Sequence, residues 1–189
     1  MIKIQLLKPT TALLPGYVAA LETGWSPDNV RKEVAAREQL HAIKTNAEAF
    51  VDALDDPSAS GGPIPLPDGS SVARLPGIIR WIWDDSFSGT IGFRWQAGAA
   101  ELPPYVLGHI GFSVVPWKRR NGYATQALHL MLLEAKGHGL PYVELTVAPD
   151  NLASQKVITA CGGVLIERFR KTAAYGFAEA FRYRIRLED

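Results

Sequence analysis

At 189 residues with 47% hydrophobic content, the chain can bury one full core and leaves little length for a second, so a single domain over residues 1–189 is expected. A formal net charge of +1 lacks the basic surplus of a general nucleic-acid binder, and no apolar run approaches the roughly 20 residues that cross a bilayer. One cysteine excludes an internal disulfide, four scattered histidines give no metal-ligand spacing, and residues 1–15 lack a basic start followed by an apolar stretch; the expectation is a cytoplasmic protein with no metal, membrane or nucleic-acid partner.

Residues 2–7 read as an opening strand and residues 13–23 as a helix, despite Pro15 and Gly16 near its start. Ser26-Pro27 offers an N-cap and a first-turn proline for a polar helix reaching Ile43. Asn46 caps another, which carries Ala47, Phe50, Val51 and Leu54 at helical spacing. Residues 57–71, rich in Pro, Gly and Ser, form a loop or a loose hairpin tip. Strands resume over 77–83, turn at Asp84-Asp85 and continue over 86–95. Gly89-Thr90-Ile91-Gly92-Phe93 echoes Gly108-His109-Ile110-Gly111-Phe112, as neighbouring antiparallel strands of like patterning do.

The most informative stretch follows. Ile110, Phe112 and Val114 alternate with His109, Gly111 and Ser113, and the chain then passes through Val115-Pro116-Trp117-Lys118-Arg119-Arg120-Asn121-Gly122 into a helix. Ala124, Ala127, Leu128, Met131, Leu132 and Ala135 form that helix's apolar stripe, and Gly137 and Gly139 end it. The first amides of a helix have no intrahelical acceptor and sit at the positive end of its dipole, so a strand, a basic turn and a helix make an anion cradle. Its candidate residues are Val114, Val115, Arg119, Arg120, Asn121, Gly122, Tyr123, Ala124 and Thr125, with Lys118 adding charge beside them. Neither a G-x-x-x-x-G-K-[ST] nor a G-x-G-x-x-G pattern is present.

A strand over 142–147 comes next, then Asn151 and a short helix whose Ala153, Val157, Ile158 and Cys161 share one face, with Gly162 suited to a left-handed cap. Residues 163–168 and 180–187 supply the last two strands.

Arg119-x-x-Gly122-x-Ala124 resembles the [Gln/Arg]-x-x-Gly-x-[Gly/Ala] signature of the GNAT superfamily of N-acetyltransferases, and the segment from Asn151 to Gly163 resembles that superfamily's next motif. Gly108-His109-Ile110-Gly111-Phe112-Ser113, Arg120-Asn121-Gly122-Tyr123-Ala124-Thr125, Asp150-Asn151-Leu152-Ala153-Ser154 and Cys161-Gly162-Gly163-Val164 narrow it to a bacterial branch of predicted acetyltransferases, over about residues 75–187. The resemblance implies an α/β (α+β) fold with a mixed, mostly antiparallel sheet of about seven strands, about four flanking helices and splayed central strands. It also implies acetyl-CoA as cosubstrate, gripped at its pyrophosphate by the cradle and along its pantetheine arm by Asn151 and Ser154. An acceptor amine attacks the thioester directly, with a backbone N–H near Val114 or Val115 stabilising the oxyanion.

The chemistry needs a group that takes a proton from the ammonium. His109 is the first candidate, with a structural histidine as its rival reading; Glu144 is the reserve, with a surface glutamate as its rival. Many family members carry a tyrosine seven residues after the asparagine as acid to the sulfur, whereas Ile158 stands here. Ser154 could donate a hydrogen bond to the sulfur instead, and a thiol with pKa about 8.5 leaves without strong help. Cys161 reads as buried, two or more of Trp81, Trp83 and Trp95 as core, and Arg94 either as a surface arginine or as a ligand for an acceptor carboxylate. The leading expectation is an acetyltransferase acting on an amine of a small molecule or peptide; the alternative is a non-catalytic acyl-CoA-binding module. Oligomeric state stays open, a homodimer included.

Overall fold

A computed structural model describes residues 3–66 and 68–187. In chain order, β1 (Gln5–Leu7) leads through a 3-10 turn to α1 (Leu14–Glu22), α2 (Lys32–Thr45) and α3 (Ala47–Asp52). Two-residue strands β2 (Asp55–Asp56), β3 (Ile64–Pro65) and β4 (Ser71–Val72) precede the long strands β5 (Gly77–Trp83), β6 (Phe87–Arg94) and β7 (Ile110–Val114). Then come α4 (Tyr123–Lys136), β8 (Tyr142–Val147), α5 (Leu152–Ala160), β9 (Val164–Arg170) and β10 (Glu179–Arg186).

The strands form two sheets and a small hairpin. One sheet runs β1-β5-β6-β7 with β2 also paired to β5, the other runs β8-β10-β9, and β3 pairs with β4. Every paired register is antiparallel. The echoing segments are indeed neighbours, since Gly92 faces Gly111 and Phe93 faces Ile110 across β6 and β7.

Strand alternation divides the core between two faces. On one, Ile78, Ile82, Ile91, Phe93, Ile110 and Val114 pack with the α4 stripe and with Val143, Leu145 and Ile185. On the other, Trp81 and Phe87 pack with Tyr17, Leu21, Trp25, Ala36 and Val51 from the helical first third. Tyr17 stacks on Trp81 at 5.0 Å between centroids, so part of this second core is an aromatic cluster. Trp83 is only half-buried, against the same core.

Two expectations shift. The residue 2 end of the predicted first strand lies outside the described residues. The second helix starts at Lys32, not after Ser26-Pro27, because Asp28 Oδ1 accepts the amides of Val30 at 2.8 Å and Arg31 at 2.9 Å and holds a polar turn there. Asn46 caps α3 as expected, accepting the Ala49 amide at 3.0 Å.

The break between the sheets positions the site. β7 and β8 meet only at one end, where the His109 amide donates to the Glu144 carbonyl at 2.7 Å and the Thr146 hydroxyl donates to the Leu107 carbonyl. Gly108 permits this contact, because a Cβ there would stand 2.9 Å from the Glu144 carbonyl oxygen. Beyond His109 no ladder joins the strands, and they splay.

Candidate active site

His109 stands at the vertex of that splay and is fully buried. Its Nδ1 accepts the backbone amide of Glu144 at 3.0 Å, so Nε2 carries the proton and points to the Ala100 carbonyl at 3.2 Å. Burial pushes the imidazole below its ordinary pKa, against the opposing charge of Glu144. A neutral ring with both nitrogens engaged by main chain is a clamp between strands, with no lone pair left for an ammonium proton.

Glu144 is equally committed. Its carboxylate accepts from Arg184 Nη2 at 2.6 Å and Nε at 3.1 Å, and from Arg182 Nη1 at 3.1 Å. Both predicted bases therefore lie together at the vertex, each with its polar atoms matched inside the protein.

The turn before α4 is different. After a 3-10 turn over Pro116–Lys118, Arg120 and Gly122 take left-handed φ values of 65° and 74°, with Asn121 between them. Gly122 is the N-cap residue and offers no side chain, and the first amide with an acceptor inside the turn is Gln126, bonded to the Gly122 carbonyl at 3.0 Å. The amides of Tyr123, Ala124 and Thr125 have no backbone acceptor among the described residues. A non-glycine residue in the left-handed region is strained, and such strain accompanies ligand sites. Arg119 folds its Nε onto the Val114 carbonyl at 3.1 Å, next to the open end of β7. Arg120 is exposed and makes no ion pair among the described residues.

Two side chains of this turn point inward. Lys118 was expected to add charge to the cradle, yet its ammonium is spent on Asp84, with Ser88 at 3.1 Å. Tyr123 is buried and donates its hydroxyl to the same carboxylate. Burial works to raise the Asp84 pKa, but hydrogen bonds from Lys118, Tyr123 and Ser88 outweigh it and hold the carboxyl at about 2. Asp84, 34 residues from Lys118 in sequence, thus ties the β5–β6 turn to both ends of the cradle. Only its place in a turn was visible beforehand.

Across the splay, the Asn151 side chain caps α5 by accepting the Ser154 amide at 3.1 Å. Ser154 is half-buried, and its hydroxyl has no protein partner among the described residues. Ile158 is buried against Gly163, and Cys161 is buried with its thiol pKa raised by desolvation. A hollow of about 460 Å³ beside α5, walled by Gln155, Lys156 and Tyr183, includes none of the candidate residues.

The acceptor side was the least legible. On the β6–β7 face opposite α4 stand Gly92, Arg94, Gly111 and Ser113. Trp25 Nε1 donates to Ser113 Oγ at 3.0 Å, bringing the segment before α2 over the strand.

The model of the acetyltransferase (GNAT) domain matches residues 70–164, half of the chain, and includes the turn, α4, β8 and α5. The chain belongs to the GNAT acetyltransferase family, a class of acyltransferases. No curated protein matches it significantly. Among solved structures, it is similar to the microcin C7 self-immunity acetyltransferase MccE, crystallised with acetyl-CoA and AMP, at 13% identity and a TM-score of 0.61 over 98% of this chain and 93% of that one. A GNAT-family acetyltransferase from Bacillus anthracis gives 16% identity and a TM-score of 0.60, covering 99% and 96%. RimJ from Mycobacterium smegmatis, solved with a CoA disulfide, gives 15% and 0.60, covering 97% and 81%. These likenesses carry the fold.

Proposed function

We propose that this chain is an N-acetyltransferase that moves acetyl from acetyl-CoA to a primary amine of a small molecule or peptide, within a single domain and without a metal. The observation that carries the reading is the row of unaccepted amides at Tyr123, Ala124 and Thr125, flanked by Arg119 and Arg120 and opening beside the end of β7. Three N–H groups, a helix dipole and two guanidinium groups suit a pyrophosphate. The gap between β7 and β8 receives the thioester, the Asn151 segment flanks the pantetheine arm, and a backbone N–H near Val114 or Val115 faces the carbonyl oxygen.

In the transfer, the ammonium first loses one proton to solvent, the neutral amine nitrogen bonds to the carbonyl carbon, the C–S bond breaks, and the sulfur leaves as the thiol with the second proton shed by that nitrogen. The Ser154 hydroxyl, unpartnered within the protein, donates to that sulfur. His109 and Glu144 serve by holding the vertex closed. With both committed, the reaction suits an amine that is partly neutral unaided, and an α-amino group near pKa 8 meets that need better than a lysine near 10.4.

The buried Ile158 favours a second reading, a GNAT fold that binds acyl-CoA without turnover. Free-thiol release from acetyl-CoA against an amine panel separates the two. Turnover above buffer supports the enzyme, and tight coenzyme A binding with no turnover on any amine supports the binder. Peptides with a free N-terminus and small-molecule amines both belong in that panel. The exposed apolar edge at Val164, Leu165 and Ile166 is where a homodimer would form.

A further inference from the structure

The face that the acceptor must approach has a glycine floor and one cation. Residues 90, 92 and 94 of β6 and residues 111 and 113 of β7 share it, and Gly92 lies directly opposite Gly111. Two missing side chains in register leave bare backbone, and Gly111 is exposed. The Arg94 side chain reaches across to this floor, with Nη2 4.0 Å from where a Cβ on Gly111 would be. At the other end, Trp25 closes over Ser113.

Arg94 is solvent-exposed beside that floor. It makes no hydrogen bond through its guanidinium and no ion pair among the described residues, unlike Arg80, Arg182 and Arg184. Surrounding protein depresses its pKa by desolvation, while Tyr175 and Asp28 oppose that shift through their charges. Tyr175 belongs to the 3-10 turn between β9 and β10, and its hydroxyl donates to the Tyr105 carbonyl at 3.5 Å. Asp28 belongs to the turn before α2. The glycine floor of β6 and β7, with Trp25 at its other end, thus lies beside a guanidinium that has no hydrogen-bonded or ion-paired partner among the described residues.

We propose that Arg94 receives a carboxylate of the acceptor, so that the preferred substrates carry an acid close to the reacting amine. The inference rests on the acetyltransferase reading and names its acceptor class. From Gly111 to Ser113 the strand advances about 7 Å, enough for the nitrogen of an amino acid or of an acidic N-terminal residue to lie over the splay while its carboxylate meets Arg94. The fork of N–H donors on arginine matches a planar carboxylate. Asp28 within charge range disfavours a dianionic phosphate at the same place.

The test uses matched acceptors with saturating acetyl-CoA. One arm compares free amino acids with their α-carboxamides; the other compares C-terminally amidated dipeptides that begin with Glu or Asp against those beginning with Gln or Asn. The arms distinguish an α-carboxylate from a side-chain carboxylate. We expect the acid of at least one pair to exceed its amide at least about tenfold in kcat/KM, chiefly through KM. Arg94→Gln should erase that preference and Arg94→Lys restore part of it. The same pairs, titrated calorimetrically into the protein with and without coenzyme A, read the preference independently of turnover. Equal treatment of acids and amides in both assays, or a preference that survives Arg94→Gln, overturns the proposal. Failure of coenzyme A to bind would sink the acetyltransferase reading instead, leaving the acid preference as a separate result.

Discussion

The vertex at His109 and the turn before α4 flank the two ends of β7, yet their polar groups are arranged in opposite ways. At the vertex the two candidate bases are fully engaged: His109 uses both ring nitrogens and Glu144 is held by two arginines. At the turn, three amides and two guanidinium groups outnumber the acceptors nearby. Satisfied polar groups fix a structure, whereas unsatisfied ones at a strained turn await a ligand. The comparison moves function away from the titratable residues that drew attention in the sequence and toward a backbone that carries no distinctive side chain.

Substitutions at the vertex should break the fold more than the chemistry. His109→Ala leaves a buried Glu144 amide and the Ala100 carbonyl without partners and opens a cavity, so unfolding free energy should fall by about 3 kcal/mol. Denaturant melts measure the loss, while kcat/KM of the folded fraction should stay within about threefold of wild type. A large fall in kcat at unchanged stability would restore His109 as the base.

Asp84 links the two regions and should show both effects. Asp84→Asn unpairs the largely buried Lys118 ammonium and frees the Tyr123 hydroxyl, which should lower stability by about 2 kcal/mol and loosen coenzyme A binding severalfold. Loss of stability with coenzyme A affinity untouched would show the cradle to be independent of this anchor.

At the turn itself the pattern should reverse. Arg119→Ala and Arg120→Ala should each weaken coenzyme A about tenfold, less steeply at high salt, with stability within about 0.5 kcal/mol of wild type. Thermal melts alongside calorimetry separate this outcome from a structural one.

The smallest effect is in pH. The folded pKa of His109 lies below its unfolded value near 6.5, so the unfolded chain binds the extra proton, and the contribution of His109 to stability is complete above about pH 6.5 and lost as pH falls toward the folded value. Melting temperature should decline over that range, and the decline should be shallower in His109→Gln. Identical pH profiles for the two proteins would mean that the ring's neutrality does not matter to the fold.

How much of this was legible follows from distance along the chain. β5 and β8 span the ranges that alternation indicated, α4 carries the anticipated stripe, and the Asn46 side chain caps the helix it precedes. All of these rest on periodicity or on contacts three residues apart. The turning of Lys118 to Asp84 and the pairing of His109 with Glu144 depend on which turns and strands become neighbours, and a residue's type does not announce its partner 34 or 35 positions away. The expected start of α2 differs because Ser26-Pro27 carries the marks of a helix start, while Asp28 takes the amides of Val30 and Arg31 into a polar turn instead. The glycine floor beside Arg94 needed β6 and β7 to pair in register, so its sequence signal was one arginine among twenty basic residues.

Calorimetric titration of the wild-type chain with coenzyme A and, in parallel, with pantetheine, which lacks the diphosphate, addresses the central claim most directly. If the amides opening α4 and the adjoining arginines grip the pyrophosphate, coenzyme A should bind in the micromolar range and pantetheine at least about a hundredfold more weakly. Equal affinities, or no binding of coenzyme A at millimolar concentration, would contradict the account.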